Sequence, residues 1–326
     1  MSHNIKIVDD NNSTTPAKAR WKLLSSVISS LNADSLVTLN KFSKRNHQGF
    51  DLFPKTKLDQ SPLSLDDVNK KVIDVTLEKT LTNSEIYTDK DKHTQKDHYE
   101  WYSYDLGGND YINVRIKFPY YCDMKSSLYS KYSGFLYTGN ICVWPAEEVL
   151  AYYSINNSHL FRNKNVCEIG GGMCALAGLF VATKCQPSSV TLTDANSKLS
   201  SANLCAMQMI WNCNTHYDKT YDVVLCADCT FDKQIHLHLL HVIRSILKKP
   251  SKDNPDGSLF LLCAPQRGGS LQEFISLLEA QGDFHVKLLE RYDDCVWEVH
   301  QQSITENSVH YVPDIHYPLI VQAYWR

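Results

Sequence analysis

Three acidic residues stand where strand-like runs end, and each is placed to face a ligand. The first lies in Glu168-Ile169-Gly170-Gly171-Gly172, where an apolar run gives way to glycines. Glycines at such a turn tolerate unusual dihedrals and let a ligand approach the backbone closely. A carboxylate two residues ahead of Gly170 can engage the ammonium side of a bound amino acid. Gly170-x-Gly172-x-x-Ala175 also fits the loose dinucleotide fingerprint, so glycine spacing alone leaves NAD and S-adenosylmethionine open. A glycine-rich turn with no ligand is the plain alternative. Glu168 weighs against NAD, because a nearby carboxylate repels a pyrophosphate. Asp194 ends the next strand-like run, where an acid can accept hydrogen bonds from both ribose hydroxyls of either cofactor. The third acid, Asp228, closes Asp222-Val-Val-Leu-Cys-Ala-Asp228-Cys229-Thr230-Phe231 and sets a carboxylate and an aromatic just past a buried strand. Its plain alternative is a helix N-cap aspartate beside a core phenylalanine.

Other reactive residue types lead nowhere as clear. Cys226 and Cys229 form a C-x-x-C, but a zinc ribbon needs a second pair at similar spacing and the sequence has none. A redox pair belongs at the start of a helix, whereas Cys226 ends a strand-like run. Cys167, Cys226 and Cys263 sit in apolar runs, where reduced cysteine behaves as a small hydrophobe. His236, His238 and His241 do not fall on one helical face, so no metal site is expected there.

The elements that must position these residues alternate from about Gly139 onward. Pro145 suits the first turn of a helix opened by Trp144-Pro145-Ala146-Glu147-Glu148. Strands are expected over 165–169, 189–193, 221–227 and 258–263, with helices over 173–184 and about 232–249 between them. Ser270-Leu271-Gln272-Glu273 reads as a capping box that starts another helix. Two closing strands, 284–289 and 317–323, flank a longer 290–316 segment without a regular helix. This pattern predicts an α/β fold whose mostly parallel sheet is covered on both faces, with one antiparallel member at its edge. In such a sheet, ligands bind beyond the carboxyl ends of the strands.

Upstream, residues 1–18 are polar and read as a disordered leader, followed by an amphipathic helix over about 20–31. Strand-like pieces at 71–77, 101–106 and 111–118 suggest a small β-rich region. The chain's 326 residues, 43% of them hydrophobic, are enough for one large domain with an extension or for two modest ones. A formal net charge of −3 gives no sign of a nucleic-acid binder, and no apolar run has the length of a membrane span. The odd count of eleven cysteines, with no signal-peptide core, points to a reducing compartment: the cytoplasm, with access to the nucleus.

At this point a family resemblance emerges. Gly139-Asn-Ile-Cys-Val-Trp144-Pro145-Ala146-Glu147-Glu148-Val-Leu-Ala-Tyr-Tyr153, followed by Val166-Cys-Glu168-Ile-Gly170-Gly171-Gly172-Met173, resembles the calmodulin-lysine N-methyltransferases among the seven-strand protein methyltransferases. The likeness continues through Leu192-Thr193-Asp194, Tyr221–Phe231, Ala264-Pro265-Gln266-Arg267-Gly268 and Ile315-His316-Tyr317-Pro318-Leu319. It implies a Rossmann-like seven-strand methyltransferase sheet over 138–326 and a smaller N-terminal α+β region over 19–137, with a possible role in substrate docking. It implies S-adenosylmethionine as donor, S-adenosylhomocysteine as product, and trimethylation of a calmodulin lysine by a monomeric enzyme. Residue by residue, Glu168, Gly170 and Gly172 would line the methionine end, Asp194 the ribose, Trp211 the adenine, and Trp144 and Ala227 the flanks of the cofactor. Asp228 and Phe231 match the element that faces the target lysine. A carboxylate stabilises an ammonium, so Asp228 suits a binding and orienting role better than that of a base.

One departure stands out. Between Asp194 and Trp211 the family has a full helix and a strand, and this sequence is too short to hold both. A relative with a damaged cofactor pocket, binding proteins without transferring a methyl group, is therefore the alternative.

Overall fold

The computed structural model describes residues 49–59, 73–75, 98–118, 143–172, 174–194, 199–201, 204–252, 257–306 and 311–326. The leader and the helix expected over 20–31 lie outside these residues.

A smaller sheet holds β1 (Lys55–Leu58), β2 (Ile73–Val75), β3 (His98–Asp105) and β4 (Tyr111–Phe118), in the order β1-β3-β4-β2. β3 and β4 pair antiparallel, from Asp105 opposite Tyr111 to His98 opposite Phe118. The chain reverses between them at Gly107, Gly108 and Asn109, all at positive φ. The strand-like pieces read from the sequence here are strands.

The larger sheet begins after α1 (Pro145–Asn156), with β5 (Asn165–Ile169), α2 (Leu176–Lys184), β6 (Ser189–Asp194), β7 (Leu199–Ser201), β8 (Leu204–Gln208) and β9 (Val223–Ala227). It continues through α3 (His236–Ile246), β10 (Leu259–Ala264), α4 (Ser270–Ala280), β11 (Phe284–Leu289), α5 (Asp294–Glu306), α6 (Pro313–His316) and β12 (Leu319–Trp325). The eight strands run in the order β11-β12-β10-β9-β5-β6-β8-β7. β8, β6, β5, β9 and β10 are mutually parallel, whereas β12 is antiparallel to both β10 and β11. The α/β expectation holds, with two corrections. Two antiparallel strands are present instead of one: β12, one place in from the edge because β11 pairs along its outer side, and β7, at the opposite edge. The 290–316 segment does contain a helix, α5. Of its thirteen residues only Val296 and His300 are buried, too thin an apolar stripe to reveal a helix by periodicity.

β5 is the centre of the core: Val166, Cys167, Glu168 and Ile169 are fully buried, as a strand covered on both faces requires. β5→β6 and β9→β10 step in opposite directions along the sheet, so right-handed crossovers put α2 and α3 on opposite faces. Phe53 packs edge-on against Phe180 of α2 at 4.6 Å and against Tyr152 of α1 at 5.7 Å, and Tyr104 of β3 meets Phe180 at 5.6 Å. Burying a ring of this size stabilises by about 1.5–3 kcal/mol. One hydrophobic core thus spans both sheets. No helix among the described residues is long and apolar enough to cross a membrane.

Beyond Asp194, the described strands β7 and β8 both lie in the plane of the sheet. β7 pairs antiparallel with β8, Leu199 opposite Ala206, and β8 then pairs parallel with β6, Val190 opposite Leu204. A parallel connection normally takes a dozen or more residues and a helix over one face. Here a hairpin strand replaces the helix, which accommodates the shortened interval.

Candidate functional site at the carboxyl edge of the sheet

The β5–α2 turn is shaped by its glycines. Gly170 and Gly172 hold φ values of +65° and +60°. A Cβ on Gly170 would come within 2.6 Å of the Cys229 Sγ and 3.1 Å of the Trp211 ring, so this position accepts no side chain. The Gly172 N–H donates to Asp194 Oδ2 at 3.0 Å, and the Gly171 N–H to the Thr193 carbonyl at 2.9 Å. Asp194 therefore ties the turn to the end of β6.

Glu168 sits behind the turn. Its side chain is fully buried, and Oε2 accepts the Gly178 N–H at 2.7 Å, in the first turn of α2. Its Oε1 has no hydrogen-bond partner among the described residues. Glu147, on α1, accepts the Leu176 N–H at 2.6 Å and the Cys174 thiol at 3.4 Å. α2 has no side-chain cap of its own, its N-cap Ala175 being left-handed at φ +47°, so two carboxylates from elsewhere satisfy its orphan donors. Burial pushes the Glu168 carboxyl up to about 8 and the Glu147 carboxyl up to about 7; the charge of Glu147 raises Glu168 further, and that of Asp194 raises both. Glu147 was legible only as an acid in a helix's first turn; its partner is 29 residues away.

Asp228 leaves β9 with φ +52°, its N–H donating to the Cys263 carbonyl at 2.8 Å. Both of its carboxylate oxygens are held by Arg267, from Nε to Oδ1 at 2.9 Å and from Nη2 to Oδ2. The guanidinium also lies 5.8 Å from the centroid of the Trp144 ring, at the start of α1. Arg267 follows β10, and its role here has no signal in local spacing. Ala227 ends β9 partly exposed, and Phe231 is half-buried in the turn before Lys233–Ile235. Trp211 follows β8, half-buried, with its indole against Gly170. The sequence-derived residues thus gather at the carboxyl ends of β5, β6, β9 and β10.

The other chemistry-bearing residues are placed differently. Cys229 lies beneath Gly170, its Sγ 3.2 Å from the Ala227 carbonyl, while Cys167, Cys226 and Cys263 are fully buried free thiols. His236 is buried against the Thr230 carbonyl at 2.9 Å, His238 meets the Cys213 Sγ at 3.1 Å, and His241 meets the Thr215 carbonyl at 3.1 Å. The capping box does not form. Gly269, at φ +86°, is the N-cap of α4, the Ser270 hydroxyl donates to the Thr230 carbonyl, and Glu273 pairs with Lys233.

Residues 138–281 match the model of the lysine methyltransferase family. These residues are similar to a lysine methyltransferase domain. Relatives extend the likeness beyond this domain. The calmodulin-lysine N-methyltransferase of Arabidopsis thaliana is 27% identical over 333 residues, covering 96% of this chain and 98% of that protein. The protein-lysine N-methyltransferase EEF2KMT of Homo sapiens is 25% identical over 135 residues, 33% of this chain and 41% of its own. Among solved structures, an S-adenosylmethionine-dependent methyltransferase from Mesorhizobium loti overlaps 56% of this chain and all of its own, at 10% identity and a TM-score of 0.37. The glycine turn, Asp194, Trp211, Asp228 and Arg267 all fall inside the matched residues.

Proposed function

We propose that the chain is a calmodulin-lysine N-methyltransferase that trimethylates its target, acting as a monomer in the cytoplasm and nucleus. The observation that carries this reading is the full-length likeness to the Arabidopsis enzyme, which includes the segment outside the methyltransferase domain. The cofactor is S-adenosylmethionine, which when bound supplies the methyl group and leaves as S-adenosylhomocysteine. The residues fit such a group. Gly170 leaves a cradle that a Cβ would fill, Glu168 has an unpartnered buried oxygen suited to an ammonium, and Asp194 stands at the strand end suited to ribose hydroxyls. Trp144 and Ala227 would flank the bound group, and Trp211 would meet its adenine.

This chain's own contribution is positioning. An in-line displacement on an amine needs the nucleophile aligned and dry, which can lower the barrier by several kcal/mol. Asp228 orients the amine at the crevice, and the faces of Phe231 and Trp144 attract partly methylated ammonium groups by cation–π contact. That attraction would retain the substrate between transfers.

Incubating the chain with calmodulin and methyl-labelled S-adenosylmethionine, then mapping the modified residue by mass, tests the reading directly. Label on a single lysine, rising to three methyls, is the expected result, and absence of label would remove it. Calmodulin is acidic, so basic residues in the N-terminal region, Lys41, Lys44 and Arg45, are proposed to guide its docking. A second reading is favoured by the hairpin that replaces the helix after Asp194: a relative that binds protein but transfers nothing. Calorimetry with S-adenosylhomocysteine separates the two, since a pocket damaged at its adenine side gives no heat of binding.

A further inference from the structure

We propose that Arg267 is a positioning residue for lysine methylation: it fixes the Asp228 carboxylate in one orientation and cancels its charge, so that the target amine enters beside a neutral ion pair. The inference rests on the reading of this crevice as the lysine site, and it names the device by which that site lets the amine shed its proton.

The pair is built for permanence. Nε meets Oδ1 at 2.9 Å and Nη2 meets Oδ2, a two-point fork that fixes the carboxylate plane. Side-chain exposure is 6% for Arg267 and 7% for Asp228, so bulk water does not compete for either. Both backbones are left-handed, at φ +45° and +52°, a conformation that non-glycine residues keep only where the surroundings impose it. The surroundings do so: the Arg267 N–H donates to the Asp314 carbonyl at 2.7 Å, the Gly268 N–H to Asp314 Oδ2 at 2.8 Å, and the Asp228 N–H to the Cys263 carbonyl at 2.8 Å. On its open side the guanidinium lies over Trp144.

The chemistry gives this arrangement a purpose. A methyl acceptor must be a free amine, because an ammonium has no lone pair, and lysine releases its proton only near pH 10.4 in water, roughly. A lone buried carboxylate would hold the ammonium form still more firmly, and a dry site amplifies that attraction. Arginine stays charged throughout, so pairing it with Asp228 leaves the amine an acceptor to align against without a net negative charge. The other titratable groups around the pair do not supply this compensation. Cys229 is held protonated by its hydrogen bond with Cys226 and by burial, and Cys263 by burial and neighbouring charge. Cys226 adjoins Cys229, Asp194 stands across the glycine turn, and Tyr292 and Tyr317 lie beyond Cys263. Asp314, on α6, is a carboxylate and already accepts the Gly268 N–H. Arg267 is the cation that meets Asp228.

The test uses the full-length chain with calmodulin and labelled S-adenosylmethionine, measuring kcat from about pH 6 to about pH 10 for five proteins. These are the wild type, R267Q, R267K, D228N and the double variant D228N/R267Q. R267Q should move the rising limb of the profile alkaline by about one pH unit, a roughly tenfold loss at neutral pH recovered at high pH. D228N, which leaves the cation alone beside the amine, should move the limb the other way. The double variant restores neutrality and should return it to the wild-type position, and R267K should restore part of the R267Q loss. If R267Q fails to fold, the step from D228N to the double variant still isolates the Arg267 charge. Uniform loss with every limb unmoved would make the pair a structural brace and overturn the assignment. No methylation by wild type would instead remove the functional reading, and this inference with it.

Discussion

Glu147 and Glu168 meet at one helix start, and their titration is a stability statement. Both carboxyls are raised above the 4.5 of an exposed glutamate, to about 7 and about 8. Once the pH passes 4.5, the native state keeps protons that the unfolded chain has released. Stability is therefore fullest on the acid side of this window and falls as pH rises toward 8. Glu168→Gln keeps an acceptor for the Gly178 N–H and removes one titrating group. Urea midpoints measured from pH 5.5 to 8.5 should fall less steeply for the variant, by on the order of 2 kcal/mol across the window. Parallel slopes would show that the pair does not control the pH response. At this scale, what the sequence makes legible is what backbone geometry demands. Gly170 announces itself because only glycine fits where it stands, and Gly172 because its backbone is left-handed. Arg267 does not, because its partner is 39 residues away and nothing local requires an arginine.

Elements show the same division. α1 carries a second buried acid, Glu148, whose carboxylate accepts the Phe50 N–H at 3.0 Å and the Leu52 N–H at 2.9 Å. Those bonds staple the segment entering β1 to the helix that presents Trp144. Glu148→Ala leaves one buried and one part-buried donor without their acceptor and should cost about 2–4 kcal/mol, read as a lower urea midpoint, with the heat of S-adenosylhomocysteine binding unchanged. An unaltered midpoint would mean that the staple contributes nothing. β9 and β10 were legible as uninterrupted apolar runs, as strands buried on both faces favour, whereas β5 and β6 also bury Glu168, Thr191 and Thr193. The hairpin of β7 and β8 was legible only as a shortfall in length. Chain length excluded a helix plus a strand, but it could not say that the return would be made by a strand beside β8. α5 stayed hidden because its contacts are aromatic and polar, such as His300 stacked on Tyr317 at 3.8 Å and hydrogen-bonded to the Tyr311 hydroxyl at 2.7 Å.

For the whole molecule, the contacts between the two sheets mean that the part of the chain holding the larger sheet is not self-contained. A fragment starting at residue 138 loses both donors to Glu148 and uncovers the faces of Phe180 and Tyr152 that Phe53 and Tyr104 cover. Removing three aromatic contacts and the staple should lower stability by several kcal/mol, measured by denaturant unfolding of the fragment beside the full chain. Equal midpoints would assign the N-terminal region to substrate capture alone. The place of β12 has a consequence for synthesis. β11 is made before β12, yet among the described strands β12 is its one partner, joined from Phe284 opposite Trp325 to Leu289 opposite Ile320. The same strand zips against β10, from Leu259 opposite Tyr324 to Ala264 opposite Leu319. A nascent chain that has reached α5 therefore carries two strands with open hydrogen-bonding edges, and both close only when the segment from Leu319 to Trp325 emerges and slides between them.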